Sequence, residues 1–247
     1  MLHRTQRVCA AVVLLGLACA IGSACGAGVF KRDYEYEEEL YLSLDGSAML
    51  NVNASVASLV VLRGAHLDPD PRARVERSTL QTFFGAPDTR VSVSLSRRKG
   101  RRFVHASVAV DDVRKLSQLR PFAWSSYQFS NDGDVLAFKQ TVGPPTPQHG
   151  AIQWQGDESV AFRMHLPSAV VSHNAPSGEV ERGNILAWEQ SLADRMAGKP
   201  VDIRVQIEPT SILAHTMWLF GGTVAAAFAA FAGVVWWIRR SGPTPDQ

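Results

Sequence analysis

Apolar residues fall in two patterns along the chain, unbroken blocks at the two ends and short alternating runs between them. Tyr34 to Leu44 (YEYEEELYLSL) reads as a strand ending at Asp45-Gly46, a hairpin signal because a type I′ turn needs positive φ at both central residues. The return strand, Ser47 to Ala54, sets Leu50, Val52 and Ala54 against polar neighbours. Ser55 then caps a short apolar helix, Val56 to Leu62, closed near Gly64. Val75, Leu80, Phe83 and Phe84 form one face of a helix predicted over Arg72 to Phe84 and stopped by Gly85 and Pro87.

A second hairpin follows, with Arg90 to Ser96, a turn at Arg98-Lys99-Gly100, and Phe103 to Val110 returning. Asp111-Asp112 cap a helix over Val113, Leu116 and Leu119 that ends before Pro121. The third hairpin pairs an aromatic strand, Phe122 to Phe129, with Val135 to Val142 across the turn Asn131 to Asp134. Gly143 to Pro147 is a stiff linker. Further strands are predicted at Ser159 to Leu166, Ala169 to His173, Asn184 to Glu189 and Val201 to Ile207, with one helical turn at Ser191 to Met196. Hairpins interrupted by short helices predict an α+β domain: a curved antiparallel sheet of hairpins with about three short covering helices.

The end blocks add topology. Arg4 and Arg7 precede an apolar run from Val8 to Ile21 and the small residues Gly22 to Gly28, the layout of a signal peptide. The run is about 14 residues, against the roughly 20 that a membrane span needs. Residues 1–25 are thus the signal peptide, with cleavage near 24–27, and 28–210 are the extracytoplasmic domain. Cys25 has two readings: the lipidated first residue of a mature lipoprotein, following Gly22-Ser23-Ala24, or a bystander to ordinary cleavage after Ala27. All three cysteines (Cys9, Cys19, Cys25) lie in this stretch, so the domain has no disulfide scaffold. At the other end, Trp218 to Ile238 carries no charge and as a helix is about 31 Å long, matching a bilayer core of about 30 Å. Trp218 marks one interface, Trp236 and Trp237 the other, and Arg239-Arg240 place the tail 239–247 in the cytoplasm. This predicts a single-pass protein of a bacterial cell membrane with its domain outside. A ridge of Gly221, Ala225, Ala229 and Gly233 offers close approach between two spans.

Charge and chemistry exclude more than they suggest. Lys and Arg number 25 against 23 Asp and Glu. With the end segments set aside the charges nearly cancel, which gives no electrostatic case for nucleic acid. No G-x-S-x-G elbow, HExxH, CxxC pair or Gly-rich phosphate loop occurs, so no enzyme, cofactor or metal is expected, and the histidines read as surface or strand residues. Glu35, Glu37 and Glu39 share one strand face and read as a solvated stripe. Two constellations remain. Arg97, Arg98, Lys99, Arg101 and Arg102 cluster at one hairpin tip and suit anionic headgroups. Trp124, Tyr127, Phe129 and Phe138 read either as core or as the lining of an apolar lipid pocket beneath the helices.

A signal sequence, one β-rich domain with the late strand Gly183-Asn184-Ile185-Leu186-Ala187-Trp188, and a C-terminal span ending in basic residues together resemble the LppM-like family. The resemblance covers the architecture end to end and matches residues only in short stretches. It implies an envelope lipoprotein whose domain binds lipid or glycolipid, and it carries over no catalytic residue. The alternative function is a structural or assembly protein that contacts envelope partners through sheet edges and the span.

Overall fold

The computed structural model describes residues 33–86, 89–145 and 152–240, with only the backbone described at 211–216, 234 and 237–240. The signal segment, Cys25 and the tail beyond 240 lie outside the described residues. The described residues from Tyr34 onward belong to one unit.

The first hairpin is β1 (Tyr36–Leu42) and β2 (Ala48–Ser55). Its loop differs from the expected turn. The Ser43 amide donates to the Ser47 carbonyl, and of Asp45 and Gly46 only Gly46 takes a positive φ, of 84°. The Asp45 carboxylate accepts the Ser47 amide, which fixes the wider loop. The two-residue turn with both φ positive is instead Lys99-Gly100, at 49° and 77°, between β3 (Arg90–Arg98) and β4 (Arg101–Val110).

Helix α1 (Val56–Arg63) forms as its caps dictate: the Ser55 side chain accepts the Ser58 amide, and Gly64 closes it at φ 62°. Helix α2 (Arg77–Phe84) starts five residues later than predicted. The Asp70 carboxylate accepts the Arg72 amide and its carbonyl accepts Ala73, which holds that stretch in a turn. Val113–Gln118 is 3-10 rather than α, capped by Asp112, and a second 3-10 turn spans Arg120–Phe122. The remaining elements are β5 (Ser125–Asn131), β6 (Leu136–Val142), β7 (Ser159–His165), β8 (Ser168–His173), β9 (Ile185–Ser191), α3 (Leu192–Met196), β10 (Val201–Ser211) and α4 (Ile212–Arg240).

The fold is α+β, mostly sheet, but the strands make two sheets rather than one. The six-stranded sheet runs β3-β4-β2-β1-β7-β9 and the four-stranded sheet β5-β6-β10-β8. β1 pairs with β7 in parallel, and the other strand pairings among the described residues are antiparallel. Leu40, Leu50, Val104 and Phe162 of the first sheet join Tyr127, Phe138, Ile203 and Val205 of the second in one buried core. The second sheet therefore takes the covering role expected of the helices. The helices flank instead: α1 against β2 and β4, α2 against β3, and α3 against β9 and β7. The third hairpin's aromatic residues explain the change, because Tyr127 and Phe138 need an apolar face that helices this short do not supply.

At Gly46 an added Cβ would stand 2.9 Å from the Phe129 ring, whereas at Gly133, with a similar φ of 87°, it would meet nothing within 4 Å. Gly133→Ala should cost about 1 kcal/mol from backbone strain alone. Gly46→Ala should cost about 1–2 kcal/mol more, because the ring must also shift. Urea unfolding of the two full-length variants checks this, and equal losses would show that the Phe129 contact carries no energy.

Candidate functional site

The aromatic quartet divides once its strands are placed. Tyr127 and Phe138 are buried between the sheets, while Trp124 and Phe129 are half-buried at the margin of the same core. The remaining space beside Glu38, Leu40, Gln140 and Phe162 is about 10 Å³, room for about one water. Among the described residues the two sheets close on each other here, and Tyr127 and Phe138 pack in the core between them.

What fills the interior is polar. The Arg63 guanidinium, at the end of α1, lies over the Trp124 ring and 4.4 Å from the centre of the Tyr36 ring. It donates to the Tyr36 hydroxyl at 2.9 Å and to the Glu38 carboxylate at 3.0 Å, and Tyr36 donates in turn to Glu38 at 2.5 Å. Arg195, fully buried on α3, approaches the same indole at 5.0 Å and donates to the Gly143 carbonyl. Burial, with Arg63 nearby, lowers the Arg195 pKa to about 10. Burial also raises the pKa of Tyr36 and Tyr127 well above the ordinary tyrosine value, and Glu38 adds to both shifts. The Tyr127 hydroxyl completes no hydrogen bond, although Ser125 is close enough to temper its shift. Sequence reasoning missed Arg63, Arg195 and Glu38. One signal was present: Glu38 alternates in phase with Tyr36, Leu40 and Leu42, which marks a carboxylate on the apolar face of β1.

The Glu35, Glu37, Glu39 stripe is not solvated as expected. Arg101 bridges Glu35 at 2.9 Å and Glu158 at 3.0 Å, and Arg163 faces Glu37, Glu39 and Glu181 at 3.7, 3.6 and 3.1 Å. Neighbouring strands supply the countercharges that a single strand's pattern cannot display. The basic hairpin likewise does not offer five free charges. Arg98 turns back to the Tyr34 carbonyl and over the Phe103 ring, Arg101 is paired, and Arg102 is buried. Arg97 and Lys99 are exposed at the tip. Among the described residues no His, Cys, Asp and Glu group is placed to hold a metal.

A groove of about 410 Å³ crosses the outer face of the four-stranded sheet. Gln128, Ala137, Lys139, Ser172, Arg204 and Gln206 line it, while the Phe138 side chain in the same strand faces the core. The β10–β8 register shifts at Gln206/Ile207 and again before Ser211, and such bulges bend a sheet into a concavity. Ser172 donates to Gln206 and the Asn174 amide to the Asp202 carbonyl, so the rim is preorganised. Its volume and mixed apolar and amide lining are those of a small-ligand site.

β10 runs on into α4, a continuous backbone helix of 29 residues. Its described apolar side chains are mostly bare, with Trp218 84%, Phe228 70%, Phe231 69% and Trp236 59% exposed. Among the described residues no helix is long and apolar enough to cross a membrane. The longer run Trp218 to Ile238 includes positions, Trp237 among them, whose side chains are not described, as are those of Arg239 and Arg240.

No family model and no curated protein matches the chain. Among solved structures it is similar to the folded domain of LppM from Mycobacterium tuberculosis, determined by NMR, at 15% identity and a TM-score of 0.40 over 76% of this chain and 98% of that one. This is a weak likeness in a mixed α+β fold.

The interior makes a pH prediction. Tyr36 and Tyr127 hold their protons more tightly folded than unfolded, so their stabilising effect is complete below about pH 10 and is lost as pH rises past it. Arg195 runs the other way above about pH 10, releasing its proton first in the folded state, and partly offsets the loss. Tyr127→Phe should change stability by under about 1 kcal/mol at pH 7, since its hydroxyl has no partner to lose. It should also make the alkaline decline shallower, as denaturant midpoints between pH 7 and 11 would show. An unchanged alkaline slope would contradict the assignment.

Proposed function

We propose that this chain is an LppM-like envelope protein. Its signal segment directs export, α4 anchors it in the membrane, and its outer domain holds a lipid or glycolipid without chemical conversion. The observation that carries the reading is the bare apolar helix continuing from β10: large apolar side chains exposed around a helix call for a non-aqueous surrounding. Arg239 and Arg240 then face the cytoplasm and the sandwich faces outward. Lipidation at Cys25 would add a second anchor.

The groove on the four-stranded sheet is the ligand site this reading favours. Its walls offer side-chain amides and a hydroxyl suited to sugar or headgroup, and Ala137 lies on the same outer face.

Two outcomes test this. Full-length protein should stay with the membrane pellet through alkaline carbonate extraction, and release to the supernatant would contradict anchoring by α4. Native mass spectrometry of the full chain, released from maltoside micelles, should show one retained lipid or glycolipid per chain, lost in a folded Ser172→Trp variant that fills the groove. A ligand-free spectrum would overturn the binding role and favour protein partners.

A further inference from the structure

The outer face of the six-stranded sheet changes character along its strands. Strand register aligns Ala109, Met49, Tyr41, His165 and Ile185 in one row across β4, β2, β1, β7 and β9. Two residues further along each strand, about 7 Å away, the next row reads Ser107, Asn51, Glu39, Arg163 and Ala187. Met49 is 40% exposed. The Tyr41 ring stacks on His165 with 4.0 Å between ring centres, and its hydroxyl donates to Glu39 of the polar row at 3.2 Å. Burial lowers the His165 pKa, so that ring is neutral at pH 7. Val180, 41% exposed, extends the row beyond Ile185, because the next residue, Glu181, forms a backbone bridge with Ile185. Apolar and aromatic bodies in one layer, with their polar tips turned to a charged layer, are what side chains adopt where membrane meets water.

The row lies at the end of the domain from which α4 leaves. His165 ends β7, and three residues on, Ser168 pairs with Ser211, the last residue of β10. The Ser168 hydroxyl donates to the Thr210 carbonyl at 2.6 Å and the Leu166 amide to the Asn184 carbonyl at 3.1 Å, which fixes this corner. From Ile212, the first residue of α4, to Trp218 is six residues of helix, about 9 Å. The headgroup layer on each side of a bilayer core is about 5–8 Å deep. A tether this short sets the end of the domain against the headgroups. Charge adds little there: Asp112 and Asp111 hold Arg114 and Lys115, and Arg90 and Arg182 are balanced by Asp45, Asp132 and Asp134. The basic hairpin tip stands at the other end. Arg97 lies seven residues along β3 from Arg90, the partner of Ala109, which is about 23 Å of strand.

We infer that the domain rests on the bilayer at this end, with Met49, Tyr41, Ile185 and Val180 reaching into the headgroup layer. The contact depends on α4 being the anchor, as proposed above, and adds which surface of the domain meets lipid. It is apolar and short in range, so salt does not weaken it. It also turns the basic tip away from the protein's own membrane, contrary to the headgroup contact expected of Arg97, Arg98, Lys99, Arg101 and Arg102.

Tryptophan fluorescence of full-length protein in phosphatidylcholine–phosphatidylglycerol vesicles tests the contact, with a nitroxide on the phosphatidylcholine headgroup as quencher. In a background with Trp154, Trp218, Trp236 and Trp237 replaced by Phe, Met49→Trp and Arg97→Trp report the two ends. The reporter at 49 should be quenched about twofold or more, equally at low and high salt, and the reporter at 97 should stay bright. Val180→Trp is a second reporter, and adding Met49→Asp to it should cut its quenching by about half or more, which a tryptophan sinking by its own affinity would not show. Quenching at 49 no greater than at 97, or a Val180→Trp signal indifferent to Met49→Asp, in protein that floats with the vesicles, would overturn the contact and leave the anchor standing. Protein that does not float with the vesicles would overturn both.

Discussion

Arg63 reaches inward from the last turn of α1 and touches Tyr36 and Glu38 of one sheet and the indole of Trp124 at the threshold of the other. That contact constrains everything around it. Two guanidiniums and one carboxylate inside an apolar sandwich are expensive to desolvate, and removing one member of such a set typically costs about 3–5 kcal/mol. The arrangement persists because each charge is met from several sides: a tyrosine hydroxyl, a carboxylate, an aromatic face and, for Arg195, the Gly143 carbonyl. It also ties α1, β1, α3 and the lead-in to β5 to one point, and the space beside Glu38 and Gln140 between the sheets is only about 10 Å³.

A filled interior moves function to the surfaces. The polar groove lies on the outward face of the sheet whose strand β10 continues into α4. At a rise of about 3.3 Å per residue, the groove residues on β10 stand roughly 20 Å of strand from the start of the apolar helix. On the function proposed above, a tethered domain presents its groove to lipid without opening its core.

Much of this was legible in the sequence, for physical reasons that differ by element. The Ser55 and Gly64 caps, the three hairpins, the Ser191 turn and the strand into α4 are local, and their signals lie within a few residues. The division into two sheets and the parallel β1–β7 pairing are not local. A strand's alternation reports which face is buried, and says nothing about the direction or identity of its neighbour. The aromatic quartet was ambiguous for the same reason: Tyr127 and Phe138 look alike whether they meet a ligand or a second sheet. Arg101 and Arg102 sat within a run of basic residues, where only the folded positions of Glu35, Glu158 and the 68–70 loop decide which carboxylates or carbonyls each one meets.

The central claim is that lipid reaches α4 and the outer surfaces and never the core. Fluorescence quenching by lipids brominated along their acyl chains tests it most directly, because the six tryptophans divide between helix (Trp218, Trp236, Trp237) and domain (Trp124, Trp154, Trp188). In reconstituted full-length protein the account predicts strong quenching. In a variant with Trp154, Trp218, Trp236 and Trp237 replaced by Phe, it predicts none from Trp124 and Trp188. Quenching in that variant would mean that acyl chains enter between the sheets, and its absence in the native protein would mean that α4 does not meet the bilayer.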